Sequence, residues 1–508
     1  MGRWARLGAA VRSPRSDHLI AAYFLVALAV ARAGRMEERD PYWQVRAGLE
    51  NLAGVPLARP DTWSWAPVGG DWYPNSPGWN VLLGAAFAAG GFAGFFVVAF
   101  ATVLALLVLV YVLSRQLGSR PLPGLLGLMA AFAAGFPMLN VRATTLVQAL
   151  ILGAIVFAAA WAGVAARHSI VKGGLVVGLA SLATSVLGNW MHLSFLVIGP
   201  GLAVVWALVW WLWPGLGRTR RWVMTLAGAA GWCVGPLLSP YGLMNGLARS
   251  AEVQRACQGL ISEWSSPVDS RAGLQPALML VAALAIAALA GWLSVRRLRA
   301  GRRDRATIEL VALSMVGVPA ALAGVLALRF VGISLLTLAP VAGWAATRLV
   351  DRIRAGQVGR RTGRLREYAS GAFWRVVLAA TAVLLLPGVV YLASLLGRPA
   401  ESGVVAQLPS GCRLFSTPGT AGSVVLLRPD VPIWMDGRAD YFGRERLELT
   451  ADYFSGGRDD PVPGGSTCVL LDSRSAPDSR VLSARLAASP HWRLALEDGQ
   501  FQLWLPAR

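Results

Sequence analysis

The sequence predicts a mostly helical membrane protein, a bundle of about eleven transmembrane helices followed by a small C-terminal α/β domain. The chain of 508 residues is 55% hydrophobic, only 15% charged, and has a mean hydropathy of +0.53. About a quarter of the residues are charged in a typical soluble domain. The composition therefore excludes an ordinary soluble protein, and the spacing of the apolar residues supplies the helix count.

The apolar residues form blocks of about 20 residues, the length at which a helix satisfies its own backbone across a hydrocarbon core. No small-residue cleavage site follows the first block, so we expect an anchor and not a signal peptide. The glycines of 78–92 lower the helix propensity of this segment. We therefore expect an interfacial or re-entrant helix there and not a full crossing of the membrane. The predicted spans are 18–34, 91–113, 122–138, 144–165, 173–190, 195–214, 222–238, 274–294, 307–326, 331–349 and 374–396.

The charge distribution predicts the orientation of the bundle. The net charge is +20, and the arginines cluster at the N-terminus and at 218–221, 296–305 and 348–366. With eleven spans these clusters all fall on one side, which the positive-inside rule makes the cytoplasm. We therefore expect the N-terminus inside, with the loop 35–78 and everything after residue 397 outside. The positions of the arginines thus indicate the orientation of the chain in the membrane, and a nucleic-acid partner is not expected.

The composition changes near residue 397 and predicts two domains, a transmembrane domain over 1–397 and an extracytoplasmic α/β domain over 398–508. The second segment is nearly neutral, with 12 Arg against 13 Asp plus Glu. Short alternating runs predict strands at "CRLFS", "SVVLL", "VPIWM" and "CVLLD" and a hairpin around Asp498–Gly499. Helical patterns lie near 443–455 and 478–488.

Cysteines and common catalytic motifs exclude several classes of function. Cys412 and Cys468 lie in predicted strands of the outer domain, and the sequence leaves a disulfide between them undecided. The sequence has no Cys-x-x-Cys or His-rich metal pattern, no Walker loop, no G-x-G-x-x-G after a strand, no G-x-S-x-G and no H-E-x-x-H. ATP-driven transport and serine hydrolysis are therefore not indicated.

The outward face holds the acids, and the densest group follows the first span. "RMEERDPYWQVRAG", 35–48, contains Glu37, Glu38 and Asp40 within four positions. A carboxylate partly shielded from water beside the membrane can accept a proton from a hydroxyl and raise its nucleophilicity. Alternatively these acids solvate the loop or pair with Arg35, Arg39 and Arg46, which is the interpretation we favour for Glu37.

Motifs along the whole chain resemble bacterial polytopic GT-C glycosyltransferases, the dolichyl-phosphate-mannose mannosyltransferase and RgtA-to-D-like group. In the first outer loop these are "DPYWQVRAG", "GVPLARPDTWSW" and "DWYPNSPGW". In order, "NWMHLSF" (189–195), "LSPYG" (238–242), "ISEWSSP" (261–267), "ALRFVGI" (327–333) and "DGRADYFG" (436–443) follow. Gln44, Leu193 and Ser239 depart from the pattern, which has His, Gly and Asn there.

The resemblance implies a GT-C-like fold and an enzyme of the bacterial cytoplasmic (inner) membrane. Such an enzyme moves a sugar from a polyprenyl-phosphate donor to an extracytoplasmic glycan, lipid or protein acceptor, with inversion. Asp40 matches the carboxylate taken to be the general base. The resemblance leaves a divalent metal open and implies no other cofactor. Two alternatives are a transporter or flippase of lipid-linked sugars, which should show paired charges deep in the spans, and a non-catalytic assembly protein of the same shape.

Ten further residues are candidates for substrate binding. Arg142 and Arg329 lie at outer ends of spans, where a guanidinium can bind a lipid phosphate or reach the headgroups. Glu263 and Trp264 place a carboxylate beside an aromatic face, as many sugar sites do. The full set is Glu38, Trp43, Gln44, Asp61, Arg142, His192, Tyr241, Glu263, Trp264 and Arg329. Asp61 is as suited to capping a helix, His192 to packing, and the turn 436–440 to a structural ion pair.

Overall fold

The computed structural model describes residues 14–258, 260–269, 273–355, 371–473 and 477–507. Its bundle helices are α1 (Pro14–Gly34), α2 (Asp40–Leu52), α3 (Pro77–Gln116), α4 (Pro121–Gly135), α5 (Ala143–Ala165), α6 (Ile170–Met191), α7 (Phe195–Leu212), α8 (Arg218–Val234), α9 (Leu243–Cys257), α10 (Leu274–Arg299), α11 (Arg305–Ala323), α12 (Leu328–Arg354) and α13 (Gly371–Ser394). Within these ranges, ten helices are long and apolar enough to cross a membrane, α4 together with the 3₁₀ turn that follows it. The predicted polytopic helical bundle is confirmed.

A bent pair of helices supplies an eleventh crossing. A 3₁₀ turn extends α8 to Leu238, and α9 then begins at an angle of 73° to it. Pro236 lies in the 3₁₀ turn, and Gly242, with φ +70°, lies between the two helices. Counted as one span, this pair brings the described residues to eleven. It corresponds to the predicted span 222–238.

Small residues allow the helices to approach closely. Gly127 of α4 faces the backbone of Ala342 and Gly343 in α12, where a β-carbon would overlap the neighbouring chain. Gly343 in turn faces the Ser114 hydroxyl of α3. Without a hydrophobic driving force between helices in lipid, close backbone packing of this kind stabilises a bundle. The α4–α12 contact is therefore part of the frame that positions the helix ends.

The outer segment lies beside the first part of α3. Its elements are α2 and the two-residue antiparallel strands β1 (Arg59–Pro60) and β2 (Asp71–Trp72). Gly48 of α2 faces Asn80 and Gly84 of α3 with no room for a side chain. The 40 residues of α3 would extend about 60 Å, and the helix breaks at Gly90 and Gly91. The predicted separate segment 78–92 is the part of α3 that precedes this break.

The C-terminal segment is an α/β module, as predicted. Its elements are α14 (Ser402–Val405), β3 (Leu414–Ser416), α15 (Pro418–Leu427), α16 (Ala439–Ser455), β4 (Cys468–Asp472), α17 (Pro477–Ala488), β5 (Trp492–Asp498) and β6 (Phe501–Pro506). The sheet has the order β3-β4-β6-β5, with β3 parallel to β4 and the other pairs antiparallel. Asp498 pairs with Phe501, so the predicted hairpin is present. Cys412 and Cys468 form a disulfide with a Cα–Cα distance of 5.9 Å.

Two of the predicted strands in this module are wrong. "SVVLL" forms the end of α15, whose start is capped by the Thr417 side chain, an acceptor for the Thr420 backbone N–H, with Pro418 in the first turn. Those helix-start signals outweigh the β-propensity of the valines. "VPIWM" is not a regular strand; Ile433 forms single bridges with Leu414 and Ser64.

The C-terminal module packs directly on the outer segment. One hydrophobic cluster contains Trp43 of α2, Trp63 and Trp72 of the segment between α2 and α3, and Leu414 and Ile433 of the module. Two polar connections flank it, since Arg39 forms ion pairs with Glu401 (3.4 Å) and Asp472 (2.7 Å). The start of α2 is therefore fixed between the bundle and the module.

Candidate functional site

Asp40 occupies the first turn of α2, at the contact between the outer segment and the C-terminal module. The Trp43 indole Nε1 donates a hydrogen bond to Asp40 Oδ1 over 3.1 Å. Gly437 of the module lies so close that a β-carbon there would overlap Asp40 Oδ1. The Asp40 side chain keeps 28% of its surface exposed. The carboxylate is thus held in one orientation and partly shielded, yet still open to an incoming group.

The Arg142 guanidinium lies among three carboxylates. Its Nη2 donates to Glu38 Oε2 and its Nη1 to Glu263 Oε2. Asp40 Oδ2 lies 3.9 Å from Nη2. Arg142 precedes α5, whereas Glu38 precedes α2 and Glu263 lies in the 3₁₀ turn Ser262–Trp264 after α9. One arginine therefore joins three separate elements at one end of the bundle.

These neighbours shift the pKa values of Asp40, Glu263 and Arg142 in different ways. Burial and the charge of Glu38 raise the pKa of Asp40 to about 8, although Arg142 opposes the shift. Burial alone would raise the pKa of Glu263, but Arg142 and Arg329 lower it below its usual range. The three carboxylates outweigh the burial of Arg142 and raise its pKa. At neutral pH the site therefore holds a largely protonated Asp40 beside an ionised Glu263 and a charged Arg142.

Arg329 and His192 complete this group of polar side chains. The Arg329 guanidinium lies 3.9 Å from the ring centroid of Trp264. The His192 Nδ1 accepts a hydrogen bond from the Ser194 backbone N–H at 3.0 Å, which places the ring proton on Nε2. Burial and the charges of Arg329 and Arg142 lower the pKa of His192 to about 3. His192 is therefore a neutral hydrogen-bond donor in the physiological range.

The structure thus brings together most of the residues singled out in the sequence. They are Glu38, Asp40, Trp43, Arg142, His192, Glu263, Trp264 and Arg329. Glu37 lies apart, is largely exposed and pairs with Arg32 over 2.9 Å. Glu37 is thus ion-paired as expected, but with Arg32 of the first span and not with the loop arginines Arg35, Arg39 or Arg46.

Three of the candidates are bound to other parts of the protein. Buried Gln44 accepts a hydrogen bond from Trp79 Nε1 over 3.0 Å. Asp61 pairs with Arg438 over 2.9 Å, and both side chains are almost fully buried. Tyr241 donates to the Pro74 carbonyl over 3.0 Å. Each of these side chains is therefore engaged by another part of the fold through at least one polar atom, whereas Asp61 Oδ2 is buried without a partner.

The turn 436–440 contacts the site at Gly437. Asp436 and Arg438 form a buried ion pair of 2.8 Å, as expected for a structural turn. Gly437 between them lies against Asp40 and against Trp43 Nε1. The sequence interpretation treated this turn as structural and missed that contact. The signal was present in "DGRAD", where a glycine between two charged residues allows a close backbone approach.

A divalent metal, which the sequence left open, does not fit between these carboxylates. Carboxylate ligands surround a metal at about 2.0–2.6 Å, and here the guanidinium of Arg142 lies where those oxygens converge. Across the described ranges, no group of three or more His, Cys, Asp or Glu side chains could hold a metal ion. We therefore derive no chemistry through a metal.

The fold is similar to that of solved membrane glycosyltransferases, whereas no protein-family model and no curated protein matches the sequence. The archaeal oligosaccharyltransferase AglB from Archaeoglobus fulgidus, in complex with an inhibitory peptide and a dolichol-phosphate, has a TM-score of 0.51 at 12% identity, over 90% of this chain and 69% of that chain. The apo form of the Archaeoglobus fulgidus oligosaccharyltransferase has a TM-score of 0.50 at 13% identity, with the same coverage. ArnT from Cupriavidus metallidurans in the apo state has a TM-score of 0.48 at 14% identity, over 98% of each chain. The oligosaccharyltransferase likeness shows that the chain has the GT-C fold.

Proposed function

We propose that this chain is a GT-C-type glycosyltransferase that moves a sugar from a polyprenyl-phosphate donor to an acceptor outside the cytoplasmic membrane. The single observation that carries the proposal is the environment of Asp40. Its carboxylate is oriented by Trp43, partly shielded, and has a pKa raised to about 8. A general base works best when its pKa lies near the operating pH. Asp40 meets these conditions.

In this proposal Asp40 takes the proton from the acceptor nucleophile as that nucleophile attacks the anomeric carbon of the donor sugar. The sugar–phosphate bond breaks on the opposite face, and the lipid phosphate leaves with the bonding electrons, so the anomeric configuration inverts. Arg329 and neutral His192 supply donors for the phosphate. Glu263 and Trp264 would then contact the sugar. The dolichol-phosphate named for the AglB complex is a donor-side molecule of the same chemical kind.

The proposed architecture assigns residues 1–397 to a transmembrane domain and 398–508 to an extracytoplasmic domain that completes the site through Gly437. The contact between Gly437 and Asp40 supports a site formed by both domains. The donor was activated on the other side of the membrane, so the enzyme needs no nucleotide-binding motif. We expect the protein in a bacterial cytoplasmic membrane, with the N-terminus inside.

The test is sugar transfer by the full-length chain in vesicles supplied with candidate polyprenyl-phosphate sugars and acceptors. We expect turnover by the native chain and a loss of about 10²–10⁴-fold in Asp40→Asn, the range for removal of a general base. Glu37→Gln is the matched control, since this nearby acid pairs with Arg32 and lies outside the site. Equal turnover in Asp40→Asn and the native chain would remove the catalytic assignment.

A further inference from the structure

A carboxylate-lined membrane site can balance its charge with a bound metal ion or with the protein's own cations. Glu38 and Asp40 lie at the start of α2 and Glu263 lies in the 3₁₀ turn after α9, and all three converge on a single side chain, Arg142. Both terminal nitrogens of that guanidinium are used, one by Glu38 and the other by Glu263. A cation therefore already occupies the centre of the group.

We propose that the Arg142 guanidinium takes the place of a divalent metal among Glu38, Asp40 and Glu263, so that the site is complete without a metal ion. Geometry is the first argument. A metal bound by these carboxylates would need oxygen atoms from several of them within about 2.0–2.6 Å of one point. The guanidinium fills that point, and its planar shape matches two carboxylates at once.

Charge balance is the second argument. The three carboxylates face two guanidinium groups, Arg142 beside all three and Arg329, which lowers the pKa of Glu263 by its charge. Together these two groups bring the same positive charge as one divalent ion. Adding that ion as well would leave an excess of positive charge in a partly buried site, where unpaired charge is costly.

The inference concerns the site of the proposed glycosyltransferase and rests on that function only where turnover is measured. Metal binding by the purified full-length protein in detergent, with Mn²⁺ as the probe, tests it without any substrate. We expect no Mn²⁺ bound at this site in the native chain, by electron paramagnetic resonance, and no change of Tm on adding Mn²⁺. One Mn²⁺ per native chain, lost in Glu263→Gln, would overturn the proposal.

Arg142→Met gives the complementary measurement, because it leaves three carboxylates without their cation. We expect a lower Tm than that of the native chain, raised again by Mn²⁺, and no such rescue when Glu263→Gln is added. Arg142→Lys is the matched control; it keeps a positive charge and should not respond to Mn²⁺. An Arg142→Met protein that folds and ignores Mn²⁺ contradicts the proposal. If that variant does not accumulate, the native titration against Glu263→Gln still decides.

A measurement of turnover with and without EDTA separates this inference from the proposed function. Treatment with EDTA should leave the turnover of the native chain unchanged. Turnover that disappears with EDTA and returns with Mn²⁺ would overturn the inference while supporting glycosyl transfer. Absence of turnover in every preparation would count against the proposed function, and the Mn²⁺ titration would still decide the role of Arg142.

Discussion

At the scale of single residues, Asp40 differs from its neighbours by its surroundings. Glu37 is exposed and paired with Arg32, and Glu38 is held by Arg142. Asp40 has a hydrogen bond from Trp43 but no close ion pair, since Arg142 lies 3.9 Å away. Burial and the negative charge of Glu38 therefore raise the pKa of Asp40 by more than Arg142 and Trp43 lower it. Three acids of one short stretch thus have three different chemical roles.

The raised pKa of Asp40 gives a stability prediction that separates loss of chemistry from loss of folding. A carboxyl group whose pKa is raised from 3.8 in the unfolded chain to about 8 in the fold stabilises the fold fully below about pH 3.8, and this contribution is lost progressively as the pH rises to about 8. Asp40→Asn imitates the protonated form. We therefore expect Asp40→Asn to have a higher Tm than the native chain above pH 8, together with its loss of transfer. A lower Tm at every pH would show that the variant is damaged as a structure.

The same pKa predicts the pH dependence of transfer. Asp40 acts as a base only when deprotonated, so kcat/KM should rise with pH and level off above about 8. Glu38→Gln removes the like charge that raises this pKa, and the inflection should move to lower pH. Glu448→Gln, an exposed acid paired with Arg444, is the control and should leave the inflection in place. An inflection near pH 4, or one that Glu38→Gln does not move, contradicts the assignment.

Gly437 predicts a steric effect on the base. In Gly437→Ala the added methyl group would overlap Asp40 Oδ1 and crowd Trp43 Nε1. Displacement of a catalytic group by about 1 Å can cost about 100-fold in rate, and we expect a loss of transfer of that order. Gly464→Ala is the matched control, because a β-carbon there meets no atom within 4 Å. Equal activity in both variants would show that the turn does not constrain Asp40.

At the scale of elements, the long helices could be predicted from the sequence and the shorter C-terminal ones only in part. An apolar segment such as 144–165 can satisfy its own backbone hydrogen bonds in a bilayer only as a helix, so its composition alone predicts a helix. "SVVLL" has strand-forming residues, but Thr417 and Pro418 start a helix before it. These helix-start signals outweigh the β-propensity of the valines, a preference that depends strongly on the surroundings of a segment. "DGRAD" indicates a close backbone approach at Gly437, but not that Asp40 is the group approached, since the contact joins elements far apart in the sequence.

The disulfide gives a prediction for the C-terminal module. Cys412 and Cys468 are 56 residues apart, and closing a loop of that length in the unfolded chain corresponds to about 4 kcal/mol in the chain-entropy account. Cys412→Ser with Cys468→Ser should lower the unfolding free energy of the module by up to that amount, visible as faster proteolysis of 398–507. Cys233→Ser is the control, since Cys233 is a free thiol. Unchanged proteolysis of the double variant would contradict this role of the disulfide.

At the scale of the whole molecule, the site residues lie at helix ends on one face of the bundle. Successive antiparallel helices reach this face alternately by their first and their last residues. Arg142 precedes α5, His192 follows α6, Glu263 follows α9, and Arg329 lies in the first turn of α12. The arginine clusters lie at the other ends of the helices, at the start of α8, the end of α10, the start of α11 and the end of α12. Arg3, Arg6 and Arg12 of the N-terminal cluster, and the arginines at 360–366 of the last cluster, lie outside the described residues. The face that carries the candidate site and the arginine-rich face are therefore separated by the thickness of the bundle.

This separation predicts the orientation of the chain in the membrane. Arginines resist translocation, so the arginine-rich face should lie in the cytoplasm and Asp40 and the C-terminal module outside. A periplasmic reporter enzyme fused after residue 507 should be active, whereas the same reporter inserted at residue 216, beside the arginines that start α8, should be inactive. The second fusion is the control for the first, because both share one chain. The reverse pattern would place the site in the cytoplasm, where nucleotide sugars are available, and would remove the reason for a lipid-linked donor.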